Sequence, residues 1–348
     1  MTPTTLADIA AAAGCSRITA SYVLRGIGRF TPATRTRILE AAKRLGYRPR
    51  GAAKGLGDGT FGTIAFVTAG GFGLRAPFLI SAAAQALATR NRHLLYAEMP
   101  WDLDPQQAVP RVIKEWCVDG IIYYCNADVP QALAAEIAAR DIAVVWANSD
   151  GRQDCIIFDE VGAARAATTE LLRLGHRRIA FCDDLHLEHD THHCHVDRRR
   201  GYRDAMEAAG LPPRFDQVLR TEVHQVLRGA QYTAMAGRLL AGVDRPTAVV
   251  TVAPRVAQAL IVAALSRGLE IPRDLSLTTI DPAPQHLGGI AISTWIQPLR
   301  EAGLEGVDML MAKLLKHGQQ RRSRLIPFGE PLGATMAPPP RSGRRREQ

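Results

Sequence analysis

The chain has 348 residues, of which 47% are hydrophobic and 22% are charged, and its net charge is +9. This length predicts two or three domains of a globular protein, and no apolar run approaches the roughly 18 residues of a membrane span. No secretory signal is expected, because no basic stretch precedes the first apolar residues. The six cysteines form no close pair, which indicates reduced thiols and a cytoplasmic protein.

Positive charge is concentrated at the amino terminus. Residues 1–60 contain ten lysines and arginines and three acids, so they carry +7 of the net charge of +9. Such a concentration is typical of a module that binds a polyanion, although a solvated basic face has the same composition.

Three short helices are predicted in this region. Thr5, Ser16 and Thr31 are suitable N-caps, and Gly14 and Gly46 are suitable residues to end the first and third helices. Helical spacing groups the apolar residues into shared faces: Leu6, Ile9, Ala10 and Ala13; Ala20, Val23 and Leu24; Ile38, Leu39, Ala42 and Leu45. The pattern predicts an all-α helix-turn-helix domain over residues 1–47.

The second helix is the candidate for contact with the major groove of double-stranded DNA. Its predicted exposed residues are Arg17, Ile18, Ser21, Tyr22 and Arg25. Arginine donates hydrogen bonds to guanine edges, isoleucine packs on a thymine methyl group, and serine and tyrosine reach phosphates.

From residue 62 onward, strand-like and helix-like segments alternate. One series contains TIAFVT, HLLYAE, DGIIYY and IAVVWA, and a second contains RIAFC, QVLRTE, TAVVTV and LSLTTI. This βα pattern predicts two Rossmann-like subdomains with parallel sheets and a ligand cleft between them.

One motif favours a different class of protein. Gly71, Gly73 and Ala76 follow a strand, and Glu98 ends the next strand, as in a loose dinucleotide-binding fingerprint. A nucleotide-dependent oxidoreductase is therefore an alternative, although no catalytic group accompanies the motif.

The motifs TLADIAAAAGCSRITASYVLRG, VDGIIYY, FDEVGAARAATTELLRLGHRRIAF and GLEIPRDLSLTTID occur in order along the chain. They resemble the LacI/GalR family of bacterial transcription regulators over nearly the whole length. The resemblance implies a repressor that is not an enzyme. Such a protein binds a near-palindromic operator as a homodimer or tetramer and responds to a small-molecule effector. It also implies a periplasmic-binding-protein-like fold for the large domain.

The resemblance also implies roles for DNA-binding residues. Thr5, Ser16 and Thr19 match family positions, in addition to the exposed residues named above. Tyr22 replaces an arginine that contacts bases in the family. We therefore expect an operator with altered bases. Residues 48–60 match the hinge, where Leu56 is the candidate wedge in the minor groove. The other hinge candidates are Arg50, Ala53 and Lys54.

Domain boundaries follow from the same resemblance, which implies three crossovers near residues 158, 282 and 320. The effector-binding and dimerisation domain is expected at 61–340. Its N-subdomain comprises 61–158 and 283–320, and its C-subdomain comprises 159–282 and 321–340. Residues 341–348 are expected to form a disordered basic tail.

A sugar-like effector is implied by residues that match pocket positions, namely Phe78, Asn148, Asp159, Arg198 and Asp281. Each has a plainer interpretation: Phe78 as core, Asp159 as a helix cap, and Arg198 as a solvated side chain. Ala253, Pro254 and Trp295 depart from the family pattern and weaken the sugar assignment, so a regulator that responds to no effector remains an alternative.

Residues 186–195 are rich in histidine and include Cys194. This composition can bind Zn²⁺ or Ni²⁺, but the spacing matches no closed site, and a solvated loop is the favoured interpretation. The sequence therefore predicts no metal and no cofactor.

Overall fold

The structure is a computed structural model, and it describes residues 4–47, 60–69, 75–99, 117–124, 131–149, 153–186, 193–220, 229–315 and 322–340. The chain divides into two compact units, Met1–Phe61 and Gly62–Gln348. Within the described ranges, no helix has the length and apolar character needed to cross a membrane.

The first unit contains three helices: α1 (Leu6–Ala12), α2 (Arg17–Leu24) and α3 (Pro32–Arg44). Thr5, Ser16 and Thr31 cap them through side-chain oxygens, as the sequence predicts. Gly14 and Gly46 have positive φ values of 56° and 61°, a conformation that glycine adopts without the strain of a Cβ atom.

A small apolar core holds these helices together. It consists of Ile9, Ala10, Ala13, Ala20, Val23, Ile38, Ala41 and Ala42. The prediction was wrong for Leu39 and Leu45, which are exposed by 47% and 36%. The apolar stripe of α3 is instead formed by Ile38 with Ala41 and Ala42, at i+3 and i+4, so Leu39 faces solvent.

The second unit is built on two six-stranded sheets. The first sheet has the order β12-β5-β4-β3-β1-β2, and all of its pairs are parallel. Its strands are β1 (Thr63–Ala69), β2 (His93–Met99), β3 (Gly120–Tyr124), β4 (Ala143–Ala147), β5 (Cys155–Phe158) and β12 (Arg324–Ile326); its helices are α4 (Arg75–Ala88), α5 (Gln131–Ala139) and α10 (Leu299–Leu315). Apolar clusters cover both of its faces, as a parallel sheet requires.

The second sheet has the order β10-β11-β9-β8-β6-β7, with an antiparallel pair at one edge. Its strands are β6 (Ile179–His186), β7 (Phe215–Arg220), β8 (Ala248–Thr251), β9 (Ser276–Asp281), β10 (Gln285–Leu287) and β11 (Ile290–Ile296); its helices are α6 (Glu160–Arg173), α7 (His193–Ala208), α8 (Gly229–Leu239) and α9 (Pro254–Leu265). Helices α6 and α7 pack on one face, and α8 and α9 pack on the other.

The strand pairing places two segments differently from the expected subdomain boundaries. Residues 290–296 were expected in the N-subdomain, but β11 pairs with β9 in the second sheet. Residues 324–326 were expected in the C-subdomain, but β12 pairs with β5 in the first sheet. The chain therefore passes between the sheets after Phe158, after β11 and after β12, rather than near 282 and 320. The reason is the β10–β11 hairpin, in which β11 pairs with β9 and the three-residue β10 forms the edge of the second sheet before the chain leaves it.

The carboxyl-terminal segment then returns to the second sheet. The Thr335 Oγ1 donates to Leu277 O at 2.6 Å, and Ala337 O contacts the Nε2 of His176 at 2.8 Å. His176 is fully buried and also contacts Thr247 Oγ1 at 2.9 Å. Burial lowers the pKa of His176 below its usual value, although the contact with Ala337 opposes this effect. A neutral histidine therefore connects the last described segment to the sheet.

Candidate DNA-binding helix and effector cleft

Helix α2 is held in place by local hydrogen bonds and by its buried face. The Ser16 Oγ accepts from the Thr19 backbone N–H at 3.0 Å and lies 2.9 Å from the Thr19 Oγ1. Ala20 and Val23 are buried in the core of the first unit. The hydroxyls of Ser16 and Thr19, both predicted to contact DNA, thus participate in the cap. Because Ala20 and Val23 are buried, the opposite face of α2 points outward.

Four of the five residues that the sequence predicts to be exposed on α2 are exposed in the structure. Arg17 and Arg25 are exposed, Ser21 is half-buried, and Ile18 and Tyr22 are exposed by 67% and 43%. An isoleucine that leaves two thirds of its surface in water has unused apolar area, which suits contact with a thymine methyl group. Arginine at either end of this face supplies positive charge and hydrogen-bond donors.

Thr5 forms a capping box at the start of α1. Its backbone N–H and hydroxyl donate to Asp8 Oδ2 at 2.7 and 2.8 Å, and the Asp8 backbone N–H donates back to Thr5 Oγ1. The backbone hydrogen bond from Thr5, followed by the hydroxyl bond, lowers the pKa of Asp8. Thr5 is exposed, so its hydroxyl combines this structural role with a position at the surface.

Several predicted residues lie outside the described part of the chain. These are the hinge candidates Arg50, Ala53, Lys54 and Leu56, together with Gly71 and Gly73 of the loose dinucleotide motif.

Three of the five predicted effector residues lie at the carboxyl ends of strands. Asn148 follows β4, Asp159 follows β5 and Asp281 ends β9, whereas Arg198 lies on α7 and Phe78 on α4. Ligands of open α/β sheets bind at this edge. Asn148 is 2% exposed and has a φ of 61°, and Phe78 is 48% exposed and therefore is not a core residue.

Asp159 and Asp281 both have structural partners. The Asp159 Oδ1 accepts from the Gly162 backbone N–H at 2.8 Å, and the Asp159 N–H donates to Ile326 O at 2.9 Å. The Asp281 Oδ1 accepts from the Gln285 Nε2 at 2.8 Å. Asp159 is therefore the N-cap of α6, as its plainer interpretation proposed.

Arg198 forms a buried ion pair that sequence analysis missed. Its Nε donates to Glu160 Oε2 at 2.6 Å and its Nη2 to Glu160 Oε1 at 2.9 Å, while both side chains are at most 2% exposed. Burial alone lowers the pKa of Arg198, and the charge of Glu160 reverses this effect, so the pKa lies above its usual value. Arg198 is thus buried and paired with Glu160, so its interpretation as a solvated side chain is wrong.

Nothing in the sequence pairs Glu160 with Arg198, because 38 positions separate them. The only local signal is Glu160 itself, a carboxylate in the first turn of α6, where the helix dipole favours negative charge. The same carboxylate accepts from the Gln297 Nε2 at 3.3 Å. Glu160 therefore links the segments that follow β5 and β11.

The histidine-rich segment is described only in part. Cys194 is buried, and the His195 Nδ1 lies 3.4 Å from Asp183 Oδ2. Among the described residues, no group of three histidine, cysteine, aspartate or glutamate side chains is arranged to hold a metal ion.

Comparison with known proteins connects both units to one class. Residues 5–50 match the model of bacterial regulatory proteins of the lacI family, and residues 168–330 match that of a periplasmic binding protein-like domain. The chain is 30% identical over 314 residues to the HTH-type transcriptional regulator DegA of Bacillus subtilis, covering 87% of this chain and 89% of DegA. It is 27% identical over 328 residues to the HTH-type transcriptional repressor PurR of Photobacterium profundum, covering 91% and 94%.

A solved structure shows the same fold. The crystal structure of the lac repressor dimer bound to operator and the anti-inducer ONPF matches with a TM-score of 0.81 at 20% identity, covering 97% of this chain and 100% of that one.

A helix-turn-helix unit joined to a two-sheet periplasmic-binding-protein-like domain defines a DNA-binding transcription regulator. The chain belongs to the LacI family. Members of this family are regulators and not enzymes, so the oxidoreductase alternative is wrong.

Proposed function

We propose that this regulator is a repressor that binds a near-palindromic operator as a two-fold dimer, with α2 of each protomer in a major groove. The observation that carries the proposal is the exposed face of Arg17, Ile18 and Tyr22 on a helix that caps and core residues hold rigidly. The charge of +7 over residues 1–60 supports it, because that charge attracts phosphates. The chain then acts in the cytoplasm, on DNA of the nucleoid.

Within this proposal, Leu56 of the hinge enters the minor groove, and Arg50 and Lys54 contact phosphates near it. An effector binds at the carboxyl edges of the two sheets, near Asn148 and Asp281. Effector binding shifts the balance between two arrangements of the subdomains and so changes operator affinity. A sugar-like molecule is the first candidate, because carboxylate and amide side chains there accept hydrogen bonds from hydroxyls.

Replacing Arg17 by alanine tests whether α2 contacts bases. We expect the variant to lose about 1–3 kcal/mol of binding free energy, or roughly 5- to 150-fold in affinity, for a preferred duplex, with a much smaller loss on scrambled DNA. Arg37→Ala is the matched control, because it removes the same charge from an exposed position on α3. It should weaken binding to both duplexes equally and slightly lower the salt dependence of binding.

Fluorescence anisotropy at fixed salt, with both duplexes and both variants, provides the measurement. Equal losses on preferred and scrambled DNA for Arg17→Ala would show that α2 contributes charge and no base recognition.

A further inference from the structure

Arg198 and Glu160 form an ion pair with each other inside the protein. Two hydrogen bonds at 2.6 and 2.9 Å join the guanidinium to both carboxylate oxygens in a bidentate arrangement. Both side chains are almost fully buried. The positive charge of Arg198 is therefore neutralised within the protein before any ligand arrives.

The pair lies at the edge where the effector is expected. Glu160 begins α6 two residues after β5 ends, at the carboxyl end of the first sheet. The other charged side chains described at this edge include Asp159, Asp183 and Asp281, with His195 near Asp183. Asp159 adjoins Glu160 in the chain, and Asp183 contributes negative charge at Arg198, which is unfavourable for an acidic ligand beside the pair.

Two buried uncharged polar groups lie on β11 and just after it, in the segment that contacts Glu160. The Nε1 of Trp295 and the Oε1 of Gln297 are buried and have no hydrogen-bond partner among the described residues. Gln297 also donates to Glu160 through its Nε2 at 3.3 Å. A buried donor and a buried acceptor without partners are costly unless a ligand group or water satisfies them. A hydroxyl can accept or donate a hydrogen bond without carrying a charge, so it suits either group.

We propose that Glu160 is a specificity-determining residue. Because Glu160 pairs with Arg198, the guanidinium does not bind carboxylate or phosphate groups of a ligand. The effector of this regulator then carries no acidic group at this position. The inference rests on the proposed effector cleft and adds a chemical restriction on what that cleft accepts.

Three full-length proteins test the proposal: the natural chain, Glu160→Gln, and Glu160→Gln combined with Arg198→Gln. Inorganic phosphate at millimolar concentration is the added anion, and chloride at equal ionic strength is the reference. Tryptophan fluorescence follows thermal unfolding, and all four tryptophans lie in the second unit. Phosphate binding to the basic first unit is the same in all three proteins, so it does not affect the comparison between them.

Glu160→Gln is expected to unfold at a lower temperature in chloride. Phosphate should then raise its midpoint by about 3 °C or more beyond the rise in the other two proteins. An equal rise in the natural chain, or no additional rise in Glu160→Gln, would overturn the proposal.

A second measurement uses the natural chain and does not depend on the stability of a variant. In arginine-labelled protein, the Arg198 Nε–H resonance, assigned by its loss in Arg198→Gln, should not move when phosphate is added. A phosphate-dependent shift would show that the guanidinium is available to anions. DNA binding by the natural chain is measured in parallel. If the natural chain does not bind DNA, the proposed function is rejected, whereas the phosphate experiments still test the role of Glu160.

Discussion

Replacing Arg198 by methionine is expected to lower the free energy of unfolding of the second unit by about 3–5 kcal/mol. The change leaves the Glu160 carboxylate buried without the two hydrogen bonds from the guanidinium. Gln297 contributes one longer bond at 3.3 Å, which compensates only in part. Denaturant unfolding followed by tryptophan fluorescence measures the loss, because the four tryptophans all lie within Gly62–Gln348.

The double variant Arg198→Met and Glu160→Leu is the control for this prediction. It removes both charges and replaces them with apolar groups of similar size, and such replacements of buried pairs are often neutral or stabilising. We therefore expect it to recover most of the loss. A loss below about 1 kcal/mol in the single variant would mean that water or another cation reaches Glu160 in solution.

Gly201→Ala is expected to destabilise the second unit by about 2–3 kcal/mol. Gly201 lies on α7 where it crosses α6, and a Cβ atom there would lie 2.2 Å from Val161 O and 3.0 Å from the Arg165 backbone nitrogen. Both contacts are with helix backbone, so α6 itself must move to relieve them. Denaturant unfolding with the same fluorescence signal gives the change in stability.

Gly237→Ala on α8 is a matched comparison. The nearest atom to its Cβ would be the Arg267 Nη2 at 3.4 Å, at the end of a flexible side chain. Alanine is favoured over glycine within helices, so this variant should gain up to about 1 kcal/mol. Equal effects of the two substitutions would show that helix propensity, and not the close approach of α6 and α7, controls the result.

The sequence predicted the first unit well because its signals are local. Caps act within three residues, and the turn glycines require a conformation that few other residues adopt. The error at Leu39 and Leu45 arose because several apolar residues of α3 fit a helical face, and only tertiary packing selects Ile38 with Ala41 and Ala42.

In the second unit, the alternation of strands and helices was predictable, but the assignment of its last strands was not. Strand β12 has three residues, and β10, the hairpin strand before β11, also has three residues. Such short segments carry little periodicity, and pairing over long sequence distances decides which sheet they join. The same limit applies to Arg198, because its partner is 38 residues away, and a run of three arginines gives no indication of which one is buried.

Selection of duplexes from a random DNA pool at physiological salt, with the natural chain and with Arg17→Ala in parallel, tests the central claim most directly. The account predicts a near-palindromic site for the natural chain, with the preference at some positions lost in the variant. An identical site for both proteins would contradict base contact by Arg17. Recovery of no preferred sequence, with only salt-sensitive binding to any DNA, would contradict the assignment of α2 as the helix that recognises an operator.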